Sequence, residues 1–251
     1  MEMLIQDSKL MEYSLQLSYL CEMAKIVLIE TATDICSIGL GIDDELVALR
    51  ETAAFNEHGK RITIFIQECL DQAGIKATDL DAIAISSGPG SFTSLRIGTA
   101  TAKGLCYALG KPLLAMDTMQ ALVLAAIEAN DDENTYYIPM IDARSMGVYY
   151  AVYNKKGKCV QALNRGKLSN ETLASYQKIV CCGHAAEKYK ALMGANMLYR
   201  PQIVNSARHL LPLAIKAYKN ELWADLAYYE PNYLAPPNIT ISKKKKIKKL
   251  I

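Results

Sequence analysis

Histidine is scarce in this chain of 251 residues, with only His58, His184 and His209. No two of them stand as H-x-x-x-H or H-E-x-x-H, so a histidine metal site would need ligands gathered from across the fold. The seven cysteines, Cys21, Cys36, Cys69, Cys106, Cys159, Cys181 and Cys182, form no C-x-x-C pair and no metal-ligand spacing. They read as reduced, small hydrophobes of a cytoplasmic protein. No apolar run reaches the roughly 18 residues that a membrane span needs. Residues 1–22 also lack the basic start and apolar segment of a secretion signal, and carry Glu2, Asp7, Glu12 and Glu22 instead.

Familiar catalytic loops are missing too. A phosphate-binding P-loop needs lysine and a hydroxyl after its last glycine, and here Gly90 is followed by Ser91 and Phe92. A hydrolase nucleophile elbow needs G-x-S-x-G, which the surroundings of Ser91 do not supply. Positive charge is short as well once its location is considered. The net charge of +2 rests on Lys243, Lys244, Lys245, Lys246, Lys248 and Lys249, and without those six the chain holds 22 basic against 26 acidic residues. A body of that sign is a poor autonomous binder of nucleic acid, and a terminal lysine run is expected to be a solvated extension.

What is present is an α/β pattern. Composition that is 51% hydrophobic supports a large core. Met23 reads as a plausible start, because a convincing strand, Lys25 to Glu30, follows it at once. Further strands are expected at Cys36–Gly41 and Glu45–Thr52, hinged at Asp43-Asp44. A helix from Glu57 to Ala73 closes at Gly74, with Ile62, Phe65, Ile66, Cys69, Leu70 and Ala73 on one stripe and Ile64 off it. Beyond it, the pattern predicts a strand at Ala82–Ile85, a helix at Phe92–Leu109 and a strand at Pro112–Met116. A second half is expected to hold a helix at Thr118–Ala129 and an acidic loop Asp131-Asp132-Glu133. Its strands are expected at Tyr136–Asp142 and Val148–Asn154, joined through Arg144 to Gly147, and at Lys178–Cys182. Helices are expected at Ala185–Met193 and Ala207–Lys219. The division is 1–22 as an extension, 23–117 and 118–235 as two lobes with the second smaller, and 236–251 as a basic, disordered tail.

The most informative stretch runs from Ser86 to Gly104. A short apolar strand enters an elbow, Gly88-Pro89-Gly90-Ser91, and passes straight into a helix of small residues. Ser91 or Thr93 can cap that helix, whose free N–H groups point into the elbow. Such a start can hold an anion or be a tight structural turn. The stripe Leu95, Gly98, Thr99, Ala102, Leu105, Cys106 and Leu109 should face a core or a partner, and Ala100, Thr101 and Gly104 make the other side small as well. Interior glycine costs roughly 1 kcal/mol against alanine, which invites a close approach as compensation. Glu30 and Asp142 end strands, where a carboxylate can act as a base or ligand, but no nucleophile or ligand set stands beside them. His58, at a helix start, reads as a surface or capping residue.

Four segments together carry a resemblance: KIVLIETATDICSIGL at 25–40, EHGKRI at 57–62, SSGPGSFTSLRIGTATAKGL at 86–105 and IPMIDARSMGVYYAVY at 138–153. They resemble the bacterial TsaB (YeaZ) family, and Tyr229 to Leu234 is similar to that family's P-x-Y-L ending. The resemblance implies an actin/Hsp70-like (ASKHA) two-lobed α/β fold with mixed sheets. It also implies a non-catalytic dimerising subunit for TsaD, in the system with TsaE that attaches threonylcarbamoyl to adenosine 37 of ANN-reading tRNAs. The related TsaD carries an H-x-x-x-H metal pair that this chain lacks. The interface used for the homodimer and for TsaD would lie on two helices, here at His58, Arg61, Ile64 and Phe65 and at Leu95, Gly98, Thr99 and Ala102. No intrinsic cofactor is implied, ATP or ADP belonging at most to the interface with the partner, and tRNA is met indirectly through the complex. Departures are Glu30 where the family usually has aspartate, Ser94 where it has glycine, and Gly59 where it has serine. Two other readings compete: a hydrolase of the ASKHA class or M22-like peptidase acting alone, and a tRNA binder using the lysine tail.

Overall fold

The computed structural model describes residues 23–54, 57–129, 133–143, 147–169, 173–192, 194, 196–200 and 202–234. The expectations for 1–22, Asp131-Asp132, the Arg144–Met146 connection and the tail from 236 onward lie outside them.

Among the described residues, ten strands form two five-stranded sheets. The first holds β1 (Lys25–Glu30), β2 (Cys36–Ile42), β3 (Glu45–Thr52), β4 (Ala82–Ser86) and β5 (Leu113–Met116), in the order β3-β2-β1-β4-β5. The second holds β6 (Tyr136–Asp142), β7 (Val148–Tyr153), β8 (Cys159–Gly166), β9 (Ile179–Cys182) and β10 (Met197–Arg200), in the order β10-β9-β6-β7-β8. Counted from its own first strand, each sheet has the same order. In each, the first three strands pair antiparallel and the fourth and fifth add in parallel. This repeated unit is the actin/Hsp70-like two-lobed architecture.

Among the described residues, four α-helices serve these sheets: α1 (His58–Ala73), α2 (Phe92–Leu109), α3 (Thr118–Glu128) and α4 (Leu211–Lys219). β1 reads as an unbroken apolar run because both its faces are covered. Val27 and Ile29 pack with Ile62, Phe65, Cys69, Ala102 and Cys106 of α1 and α2. Ile26 and Leu28, pointing the other way, pack with Leu211, Ala214 and Ile215 of α4. Gly74 ends α1 with φ 66°, a left-handed cap that releases the chain toward β4.

The lobe assignment of 207–234 is corrected by this packing. Helix α3 covers the second sheet, with Met119, Leu122 and Val123 against Tyr137, Ile141 and Tyr149. Residues 207–219, however, return to the first sheet, and so does the segment after them, where Ala224 bridges Leu113 and Tyr229 joins the α1/α2 side of the core. Amphipathic spacing reveals a helix's buried face but not which sheet meets it. The single helix expected at Ala207–Lys219 is a 3₁₀ turn, Ala207–Leu210, followed by α4. Pro212 explains the break, since proline lacks an N–H and fits only in a first helical turn. The helix expected at Ala185–Met193 is likewise a 3₁₀ segment, Ala186–Leu192.

Candidate functional site

At the elbow, Ser91 caps α2: its Oγ accepts from the Ser94 N–H at 3.5 Å and from Ser94 Oγ at 3.0 Å. Several neighbouring groups bond locally. Ser91 N–H donates to Ala32 O at 2.7 Å, Gly88 N–H to Thr118 Oγ1 at 3.0 Å, Thr118 N–H to Gly88 O at 3.2 Å, and Asn232 N–H to Ser87 O at 2.7 Å. The glycines fit this crowding. Gly88 has φ 100° and a Cβ there would lie 2.9 Å from Asn232 O, while a Cβ on Gly90 would run into the backbone of Ala32. Phe92 stacks on Tyr233 with centroids 4.6 Å apart. The elbow is a turn packed against the protein's own loops, Ala32 on one side and Asn232 on the other.

The eight residues assigned to a helical interface fall on two sides. Phe65, Leu95, Gly98, Thr99 and Ala102 are buried within the first lobe. Gly98 lies over the sheet: a Cβ would collide with Thr31 Oγ1 and sit 3.1 Å from Ile85 Cδ1. The close approach that compensates for this glycine is therefore between helix and sheet. His58 departs from the surface or capping role expected of it, being 5% exposed with Nε2 unpartnered. Arg61 and Ile64 remain outside, Ile64 being 45% exposed. Arg61 and Lys60 both reach back to the Glu57 carboxylate, at 3.1 and 3.2 Å. The same outer side carries Gly59 on α1 and Ala100, Gly104 and Tyr107 on α2, with open space around a Cβ placed on Gly59 or Gly104. The outward glycine of α2 is thus Gly104, rather than Gly98.

The strand-end carboxylates have different environments. Glu30, closing β1, is fully buried; its Oε1 accepts from Ala32 N–H at 2.6 Å. Burial pushes its carboxyl up to about 7, against smaller opposite pulls from that N–H, Ser86 and Asn205. Asp142, closing β6, pairs with Lys188 at 2.6 Å, and its backbone N–H donates to His184 Nε2 at 3.4 Å. Burial pushes His184 down, and His209 down to about 4. Among the described residues no group of three or more His, Cys, Asp or Glu is arranged to hold a metal ion, and no helix is long and apolar enough to cross a membrane. The six described cysteines are all free, five of them buried. Sequence reasoning missed Asn205, buried beside Glu30, because an asparagine in a connecting loop reads as a turn residue.

Comparison with known proteins agrees with this architecture. Residues 51–247 match the family model for TsaD: tRNA N6-adenosine threonylcarbamoyltransferase. The Escherichia coli tRNA threonylcarbamoyladenosine biosynthesis protein TsaB is 28% identical over 84% of this chain and 94% of its own length. The Haemophilus influenzae protein of that name is 34% identical over 50% of this chain and 52% of its own. Among solved structures, YeaZ from Pseudomonas aeruginosa superposes with a TM-score of 0.72 at 25% identity, over 84% of this chain and 100% of that one. The chain therefore belongs to the TsaD family as that model defines it and, within it, to the TsaB (YeaZ) proteins of tRNA threonylcarbamoyladenosine biosynthesis.

Proposed function

We propose that this chain is the non-catalytic subunit that pairs with TsaD, and with a second copy of itself, through the outer faces of α1 and α2. The observation that carries the reading is the split character of those helices. Their inner faces are committed to the sheet, yet Ile64 and Tyr107, 45% and 85% exposed, stand outside with Gly59, Ala100 and Gly104. Small residues without neighbours permit close backbone approach by another helix, and exposed apolar side chains gain from being covered. An isologous contact between two copies and a contact with a related TsaD then use the same patch.

The interior supports the same reading. The Gly88 and Ser91 amides of the elbow are bonded within the protein, to Thr118 and Ala32, and Ser91 acts as a helix cap. Nucleotide, on this view, enters only at an interface completed by the partners, TsaD and TsaE, and tRNA is engaged through the assembly. Threonylcarbamoylation of tRNA reconstituted with TsaD, TsaE and the activated donor tests this. Modification should require both this chain and TsaD, and Ile64→Asp should reduce it at least tenfold without unfolding the protein. Full modification by this chain in the absence of TsaD, or metal-dependent ATP turnover by this chain alone, would contradict it.

A further inference from the structure

One level of the first sheet is polar across four neighbouring strands. Glu51 of β3 is opposite Ser37 of β2, and Ser37 opposite Glu30 of β1. The parallel pairing of Ile29 with Ile85 puts Ser86 of β4 beside Glu30. By alternation Glu30 and Ser86 point to the α4 side, as Leu28 and Ala84 do two residues earlier. The cover over this row is the connection 203–207, which brings the chain back from the second sheet. Gly183 N–H donates to Ile203 O at 2.8 Å at one end, and Ala207 N–H to Ser37 Oγ at 2.8 Å at the other. The connection is therefore fastened to both lobes.

Its middle is unfinished as drawn by an ionised carboxylate. Glu30 is 0% and Asn205 2% exposed, and neither Glu30 Oε2 nor Asn205 Oδ1 or Nδ2 has a bond of good geometry, although the two side chains lie against each other. Buried polar atoms without partners are rare, because each gives up its hydrogen bonds to water with nothing in return. A carboxylate offers only acceptors and leaves Asn205 Oδ1 unmet, whereas a carboxylic acid supplies the missing donor. We propose that Glu30 carries a proton when the lobes are joined and donates it to Asn205 Oδ1, so that this bond joins the Ala207–Ser37 contact in latching the 203–207 connection to the first sheet and deprotonation loosens it.

The groups around Glu30 agree with a neutral acid. From β2 comes Cys36, a thiol pushed up to about 11 by burial and by the Glu30 charge; from β3, Glu51, which accepts from Ser37 Oγ at 2.7 Å. β4 presents the Ser86 hydroxyl, whose Oγ already accepts from Thr31 N–H. Beyond Asn205 on the covering turn stand Arg208, exposed, and His209, held neutral by burial. No cation among the described residues offsets the burial of the carboxyl, which is why it titrates near neutrality.

Hydrogen exchange of the full chain between pH 6 and 8.5, corrected for the intrinsic pH dependence of amide exchange, tests the latch. Amides of 203–210 should lose protection about tenfold or more across that range while those of β1 and α1 keep theirs. In Glu30→Gln, whose amide donates to Asn205 at every pH, the change should be under twofold. A tenfold change in that variant too, or none in the wild type, overturns the proposal. Should the variant fail to fold, carbon-detected NMR titration of the Glu30 carboxyl in the wild type decides. A midpoint above 6 is expected, and a midpoint in the ordinary range near 4 overturns the latch.

Discussion

Single residues decide how much this lobe can tolerate, and Glu30 shows it most clearly. Its folded-state value near 7 lies above the ordinary 4.5, so the folded protein binds the proton more tightly than the unfolded chain. Stability then falls as pH rises from about 4.5 through 7, and levels off above. Glu30→Gln has no such proton to lose. It should match the wild type near pH 5 and exceed it by up to about 3 kcal/mol at pH 8 in urea unfolding; a gap that does not change with pH would contradict the assignment. Ser91→Ala should cost about 0.5–2 kcal/mol as the loss of a helix cap, with tRNA modification preserved in reconstitution. Loss of modification with folding intact would instead place chemistry at the elbow. Ser91 was legible as a cap because serine before a helix run has a local mechanism. The burial of His58 was not, since it depends on what covers the start of α1.

At the scale of elements, α1 and α2 each carry two messages in one stretch of sequence. Periodicity revealed their core stripes and left Ile64 outside, as found. It also marked Gly98 as small, but spacing alone did not distinguish a glycine pressed on Thr31 from one facing outward like Gly104. The two sites should therefore respond differently. Gly98→Leu forces a side chain into the sheet and should destabilise the protein by about 1–3 kcal/mol or more. Gly104→Leu meets open space, should leave stability unchanged or raise it by about 0.5–1 kcal/mol through helix propensity, and should weaken association. Thermal unfolding and light scattering on both variants check this. If Gly104→Leu associates normally, the outer face of α2 is not the contact. β10 left no mark in the sequence because it spans only Met197–Arg200; a short edge strand leaves little periodic signal.

Across the whole molecule, the repeated five-strand order and the return of 207–234 to the first sheet tie the two lobes into one structure. The alternation of strand and helix announced an α/β fold, and the resemblance named its two-lobed form, but the crossing of the chain is a long-range contact that no local pattern encodes. Truncation separates these levels. Removing 235–251 should leave folding and TsaD binding intact, and any effect should appear as a shallower salt dependence of tRNA affinity in the assembled complex. Removing 224–251 also takes away the Leu113 bridge, the Asn232–Ser87 bond and the Phe92–Tyr233 stack, and should lower the unfolding midpoint by roughly 10 °C. Equal midpoints for the two truncations would contradict the account of the returning segment. The central claim, a partner-binding subunit acting through α1 and α2, is tested most directly by the mass of the species formed when this chain is mixed with TsaD from the same organism, measured by light scattering during size exclusion. A discrete complex that Ile64→Asp and Gly104→Leu abolish, in variants that unfold at the wild-type midpoint or above, is the predicted result; a complex untouched by both, or none with the wild-type chain, would contradict it.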